Sequence, residues 1–225
     1  MMQFRASSVG KLMAYPDKNT LPDGAISYIN EIASQIILNW QPELDTFAIE
    51  KGKQCENESI SLLNSFLGKD YTKNSNRITT DLLTGEWDIE DESESLIIDI
   101  KSAYSKKTFP IAIKDGDRKL YEWQLTAYMH LRNLDNARLA YCLVDTPEPL
   151  ISKKDNEDWH KVSHIPERYR VTTFDMERNK EKEEQLIARC KLAQKRLLEI
   201  LDSRGYDWGV VGMEEQNSDV LDFTI

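Results

Sequence analysis

Apolar residues recur at helical spacing in the first third of the chain, at strand spacing in the middle, and at both in turn thereafter. Ser7–Met13 reads as a short helix opened by a serine. Asp23 is placed to cap a helix through ISYINEIASQIILNW, with Pro42 stopping it from two residues beyond. A second helix is predicted from Asp45 to Phe66, closed by Gly68. RITTDLLTG, GEWDIED and SLIIDIKSA are short β-leaning segments with turn-forming residues between them. YEWQLTAYMHLRN returns to helical spacing, with Leu120, Trp123, Leu125, Tyr128 and Leu131 on a broad apolar face. ARLAYCLVD and YRVTTFDM are predicted strands, separated by a polar segment rich in Pro, Lys and Asp. Residues 177–203 form a long predicted helix with Leu186, Ile187, Cys190, Leu197 and Leu201 available for packing. The order helix–helix–three strands–helix–strand–strand–helix points to an α/β or α+β fold in a single domain over residues 1–225. Within it lie N-terminal helices in 1–68, a core over about 45–203 and a tail over 204–225 whose pattern assigns it no role.

One predicted strand breaks the rule for buried strands. In SLIIDIKS, alternation puts Leu96, Ile98 and Ile100 on one face and Ile97, Asp99 and Lys101 on the other. An acid and a lysine two apart on so apolar a strand are costly unless matched. The preceding segment repeats the logic: Trp87 and Ile89 are expected on one face, Asp88 and Glu90 on the other. With the turn centred on Ser93–Glu94, Asp88 falls opposite Asp99, with their β-carbons about 5 Å apart. Opposed carboxylates repel, and a divalent cation between them turns the repulsion into a binding site.

Charge and composition narrow the picture. The chain carries 39 acidic and 29 basic residues, a formal net charge of −10, which argues against a protein that coats nucleic acid. Positive charge is nevertheless concentrated in Lys101–Lys119, with Lys106, Lys107, Lys114, Arg118 and Lys119 against Asp115 and Asp117. Cys55, Cys142 and Cys190 form no CxxC pair, so they read as buried thiols rather than a disulfide, zinc or iron–sulfur framework. No apolar run is long enough to span a bilayer, and the opening MMQFRASSVGKLM lacks the apolar stretch of a signal peptide, so the expectation is a cytoplasmic protein without membrane contact. There is no GxxxxGK phosphate loop and no GxSxG elbow. His160 and His164, four apart, read as a surface pair without a third ligand.

GEWD…DIK resembles the signature of PD-(D/E)xK nucleases, with Asp88 as the first acid, Asp99 and Lys101 as the acid–lysine pair, and Trp87 in place of the proline. Upstream, EKGKQCENESISLL resembles the G-x-x-x-E-x-E helix of exonucleases related to lambda exonuclease, with Gly52 and Glu56 in the matching places and Glu58 as the rival carboxylate. Downstream, YEWQLTAYM resembles the Q-x-x-x-Y helix of RecB-type and lambda-type nucleases, with Gln124 and Tyr128 on one helix face. The opening FRASSVGKLM resembles the segment that holds the terminal DNA phosphate in lambda-like enzymes, with Arg5, Ser7 and Ser8 in those places; hydroxyls and a guanidinium suit a phosphate. The resemblance covers about residues 5–200 and implies a restriction-endonuclease-like core, a central mixed sheet flanked by helices.

What it implies chemically is phosphodiester hydrolysis with Mg²⁺ or Mn²⁺ held by Asp88 and Asp99, by Glu56, and by the carbonyl of Ile98 or Ile100. Lys101 is expected to position water or stabilise the phosphate, Gln124 to orient Lys101 or the water, and Tyr128 to support the phosphate pocket. The implied activity is an exonuclease on the ends of duplex DNA, 5′ to 3′, in phage-type recombination. The implied partners are a single-strand annealing protein and further copies of the chain in a ring. A RecB-type or CRISPR-adaptation-type nuclease acting on single strands is the nearest alternative, although many of those carry four cysteines. A catalytically silent DNA-end binding module on the same fold, and an acidic DNA mimic, are the non-enzymatic alternatives.

Overall fold

The protein is described by a computed structural model covering residues 2–42 and 46–207. Asp45, where the second helix was expected to begin, and the tail beyond Asp207 lie outside the described residues, as does the side chain of Leu120. In chain order the elements are β1 (Phe4–Arg5), a 3₁₀ turn at Val9–Leu12, α1 (Asp23–Leu38), α2 (Phe47–Gln54), α3 (Glu56–Leu67), β2 (Ile78–Thr79), β3 (Leu83–Gly85), β4 (Ile89–Asp91), β5 (Leu96–Ser102), α4 (Asp115–Arg132), β6 (Asn136–Cys142), β7 (Val171–Glu177) and α5 (Lys180–Ser203).

The β residues form two mixed sheets rather than one. A four-stranded sheet has the order β4-β5-β6-β7, with β5 and β6 parallel and both outer pairs antiparallel. A small sheet, β1-β3-β2, forms because RITTDLLTG folds as a hairpin and the two-residue β1, too short to leave a sequence pattern, joins β3 in parallel. Helices flank the large sheet. Ile97, Ala137 and Leu139 face a core built with α1, α4 and α5; Leu96, Ile98, Ile100, Ala140 and Cys142 face a second core under α3. Each buried isoleucine contributes roughly 2 kcal/mol. A one-residue slip of β5 would swing these side chains to the wrong core, so the register is strongly fixed.

Local chemistry sets the helix ends. Thr46 accepts from the amide of Ile49 at the start of α2, and Asn179 accepts from Lys182 at the start of α5. Asn39 and Gly68 end α1 and α3 in the left-handed region. Asp23 is the first residue of α1 rather than its cap. The single helix expected over 45–66 is two helices, broken at Cys55 (φ −103°, ψ 17°). No Gly or Pro marks that break, and Lys51, one turn before it, bonds to distant backbone, as described below. The predicted helix at Ser7–Met13 is one 3₁₀ turn. Gly85 lets β3 approach α4: a β-carbon there would lie 2.8 Å from Leu131 Cδ1 and 3.1 Å from Tyr128 Cε1. All three cysteines are buried thiols. Among the described residues no helix is long and apolar enough to cross a membrane.

Candidate active site

The β4–β5 hairpin places the acids. Ile89 pairs with Ile98 and Asp91 with Leu96, the register of a turn centred on Ser93–Glu94. Asp91 caps that turn by accepting from the amides of Ser93 and Glu94. β4 begins only at Ile89, which leaves the outer edge of β5 open beyond Ile98. Asp88 closes it with its side chain: Oδ2 accepts from the amide of Ile100 at 2.5 Å. In an extended strand the N–H and C=O of one residue leave on the same side, so the Ile100 carbonyl opens on this edge too. Trp87 departs from the expected face. It belongs to the core of Ile97 and Tyr128, whereas Ile89 belongs to the core under α3. The chain leaves strand geometry before Ile89, and Trp87 Nε1 donates to Glu90 instead.

Asp99 is 3% exposed. Its Oδ1 accepts from Gln124 Nε2 at 2.8 Å, and the same amide donates to the hydroxyl of Tyr128 at 2.9 Å. Gln124 thus contacts the acid directly, where the sequence suggested Lys101 or the water as the group it orients. Tyr128 is buried behind it, a support for the amide rather than a surface that touches a phosphate. Asp99 Oδ2 takes no well-formed hydrogen bond; Lys101 Nζ stands 2.7 Å away as an ion-pair partner, with the ring of Tyr121 beneath that ammonium at 5.1 Å.

The electrostatics follow from this crowding. Burial, and then the charge of Asp99, push Asp88 from an ordinary 3.8 up to about 7. Burial pulls the Lys101 ammonium down, but Asp99 and Asp88 outweigh it and its pKa is raised, so it stays charged at neutral pH.

Asp88, Lys101 and Glu56 open on one cleft of about 570 Å³, bounded by α2 on one side and by Tyr104, Tyr121 and Tyr141 on the other. Glu56 begins α3 and forms an ion pair with Lys73, a residue that nothing in the sequence singled out. Lys73 sits in a loop with no motif around it, and its basic charge is its one signal. Glu58 is exposed and does not line the cleft. Gly52 does line it, and a β-carbon there would meet nothing within 4 Å.

Other expected residues lie elsewhere. Arg5 is in β1, and Ser8, 5% exposed, precedes the 3₁₀ turn without capping it; neither they nor the exposed Ser7 line the cleft. In the lysine-rich run Lys107, Lys114, Arg118 and Lys119 are exposed and Lys106 is half-buried. Lys106 donates to the Asp158 carbonyl, Lys107 lies 4.1 Å over the Trp159 ring, and Arg118 lies over Phe174. His160 and His164 share no helix: His164 is exposed, but His160 is 1% exposed, bonded to Thr146 Oγ1 and packed edge-on to Tyr104.

A hard divalent cation fits what this edge offers. Two carboxylates and a carbonyl converge there, one buried carboxylate oxygen is met by the Lys101 ammonium alone, and Asp88 is disfavoured as an anion by burial and then by Asp99. Among the described residues no three Asp, Glu, His or Cys side chains form a ready cage. Mg²⁺ does not require one, since it is commonly held by one or two carboxylates with water and substrate phosphate completing its shell.

No family model matches the sequence. No curated protein matches it either. Solved structures do. A phage-related exonuclease from Haemophilus somnus 129PT is 27% identical, with a TM-score of 0.84 over 90% of this chain and 96% of that one. An alkaline exonuclease from Laribacter hongkongensis is 15% identical, with a TM-score of 0.60 over 90% and 93% of the two chains, and shows the shared fold. A structure of the latter in complex with dAMP is 16% identical, with a TM-score of 0.59 over the same shares. The resemblance to PD-(D/E)xK phage-type exonucleases thus extends from the motifs to the fold, and it supports a nuclease.

Proposed function

We propose that this chain is a metal-dependent DNA exonuclease that hydrolyses phosphodiester bonds from the ends of linear duplex DNA, 5′ to 3′. One observation carries the reading: the hairpin brings Asp88, Asp99 and Lys101 together beside an open cleft, on the fold of a phage-related exonuclease. Asp88, Asp99 and the Ile100 carbonyl would hold Mg²⁺ or Mn²⁺, with Glu56 the outer carboxylate across the cleft. Such an ion supplies charge neutralisation at the phosphate and eases the ionisation of water.

The remaining work falls to the chain's own groups. Hydrolysis forms a bond from a water oxygen to phosphorus, breaks the bond to the departing sugar oxygen, and delivers a proton to that oxygen. The Lys101 ammonium, kept charged by Asp99, serves as donor and fixed positive charge for the phosphate rather than as a base. Gln124 and Tyr128 hold Asp99 in one orientation. The likeness to phage-type enzymes supports two further parts of the reading: a ring of identical chains around the duplex, and delivery of the exposed strand to an annealing protein.

A silent DNA-end module draws on one observation, the lack among the described residues of a three-acid cage. One assay separates the two. Linear 5′-phosphorylated duplex is incubated with Mg²⁺ or Mn²⁺ and either wild type or Lys101→Ala, with a circular duplex as control. Loss of linear DNA with wild type alone supports the exonuclease. No cleavage of duplex or single strands with either metal leaves the binding module.

A further inference from the structure

We propose that Lys51 is a positioning residue which, with the Ser59–Ser102 hydroxyl pair, fixes Glu56 in place across the cleft from the carboxylate–lysine strand. The inference rests on the reading of Glu56 as the outer carboxylate of a nuclease site. Lys51 is fully buried, at 0% exposure. Its Nζ donates to the carbonyls of Ala103 (2.8 Å), Tyr104 (3.2 Å) and Val144 (2.7 Å). An ammonium has three protons, and these three carbonyls take all of them. Ala103 follows β5 and Val144 lies just beyond β6, so one side chain staples α2 to the exits of both central strands. A buried cation is costly, and an apolar residue would fill the volume at lower cost. What the cation adds is a fixed relation between backbone segments.

Eight residues on, Ser59 Oγ lies 2.7 Å from Ser102 Oγ, which ties α3 to the strand one residue past Lys101. Glu56 sits between the two anchors, five residues after one and three before the other. The helix break at Cys55 separates it from α2, so a continuous helix does not set its place. The anchors set its backbone, with Lys73 paired to the carboxylate itself, and both anchors attach to the end of β5 that carries Lys101. Lys51 itself stands behind the cleft and touches no reacting atom.

The test is a double-mutant cycle read by Mn²⁺ binding in calorimetry, with DNA cleavage kinetics alongside. Wild type, Lys51→Met, Glu56→Gln and the double variant are compared, with folding checked by circular dichroism. Lys51→Met is expected to weaken Mn²⁺ binding by about 10- to 100-fold, the range for residues that orient a ligand. In the Glu56→Gln background it should cost less than about twofold more, because the ligand it positions is already gone. An equal loss in both backgrounds, or no loss in either, overturns the proposal. Ser59→Ala, which removes one hydroxyl, runs through the same cycle and decides the matter if Lys51→Met does not fold. It should show a smaller loss that also vanishes with Glu56→Gln; a loss that persists there overturns the proposal. A wild type that neither binds Mn²⁺ nor cleaves DNA overturns the nuclease reading and this one with it. Additive losses in an active enzyme overturn this one alone.

Discussion

Asp88→Asn should stabilise the metal-free protein at alkaline pH while abolishing nuclease activity. Asp88 has its pKa raised from 3.8 to about 7 by burial and by Asp99. A carboxyl with a raised folded-state pKa favours folding fully below its unfolded pKa, near 4. That contribution is lost as pH rises through the folded value near 7. At 1.36 kcal/mol per pH unit the displacement corresponds to about 4 kcal/mol, an upper figure because Asp88 and Asp99 ionise as a pair. Asparagine keeps an oxygen to accept from the Ile100 amide and removes the charge, so the variant should gain about 2–4 kcal/mol over wild type at pH 8. The gain should shrink as pH falls from 7, to about 1–2 kcal/mol at pH 5, and nearly disappear only at about pH 4, where the unfolded carboxyl is protonated too. Urea denaturation in EDTA across pH 4.5 to 8.5 measures the difference, and groups common to both proteins cancel. A variant no more stable than wild type at pH 8, or a gain that does not change with pH, would refute the reasoning. Added Mn²⁺ should then reverse the order, raising the Tm of wild type more than that of the variant.

Three further outcomes follow from the same geometry. Gln124→Leu removes the donor to Asp99 Oδ1 and to Tyr128, so activity should fall about 10- to 100-fold with the fold retained, measured as kcat on linear duplex beside a thermal melt. Gly52→Ala adds a methyl to open cleft, so Tm should hold or rise with helix propensity worth about 0.5–1 kcal/mol, while KM for DNA rises; an unchanged KM would place the DNA elsewhere. Gly85→Ala forces a β-carbon against Leu131 and Tyr128 and should cost about 1–3 kcal/mol in urea denaturation, with activity falling because Tyr128 supports Gln124.

The hairpin was legible in the sequence because its residues violate a rule. Asp99 and Lys101 stand out in LIIDIKS since every neighbour is apolar, and a period of two then fixes which face they share. The acidic turn fixed the register, and the pairing of Ile89 with Ile98 follows it. Trp87 escaped the same logic because alternation holds only inside a strand, and the strand begins two residues later. The buried polar side chains that brace the fold were illegible for the opposite reason: each is an ordinary residue in an ordinary place. Lys51 reads as one more charge on a polar helix, yet three distant carbonyls bury it completely. Arg189 reads as the solvated side of α5, yet it is 2% exposed and donates to the carbonyls of Leu12, Ala14, Tyr15 and Lys18. His160 is another such case. For Lys51 and Arg189 the partners are backbone oxygens brought near by tertiary structure, and every residue carries a backbone oxygen, so the sequence holds no complementary charge to search for. The acids proposed for the chemistry break local pattern to reach the cleft. The buried cations Lys51 and Arg189 break no local pattern, and only the fold distinguishes them from surface residues.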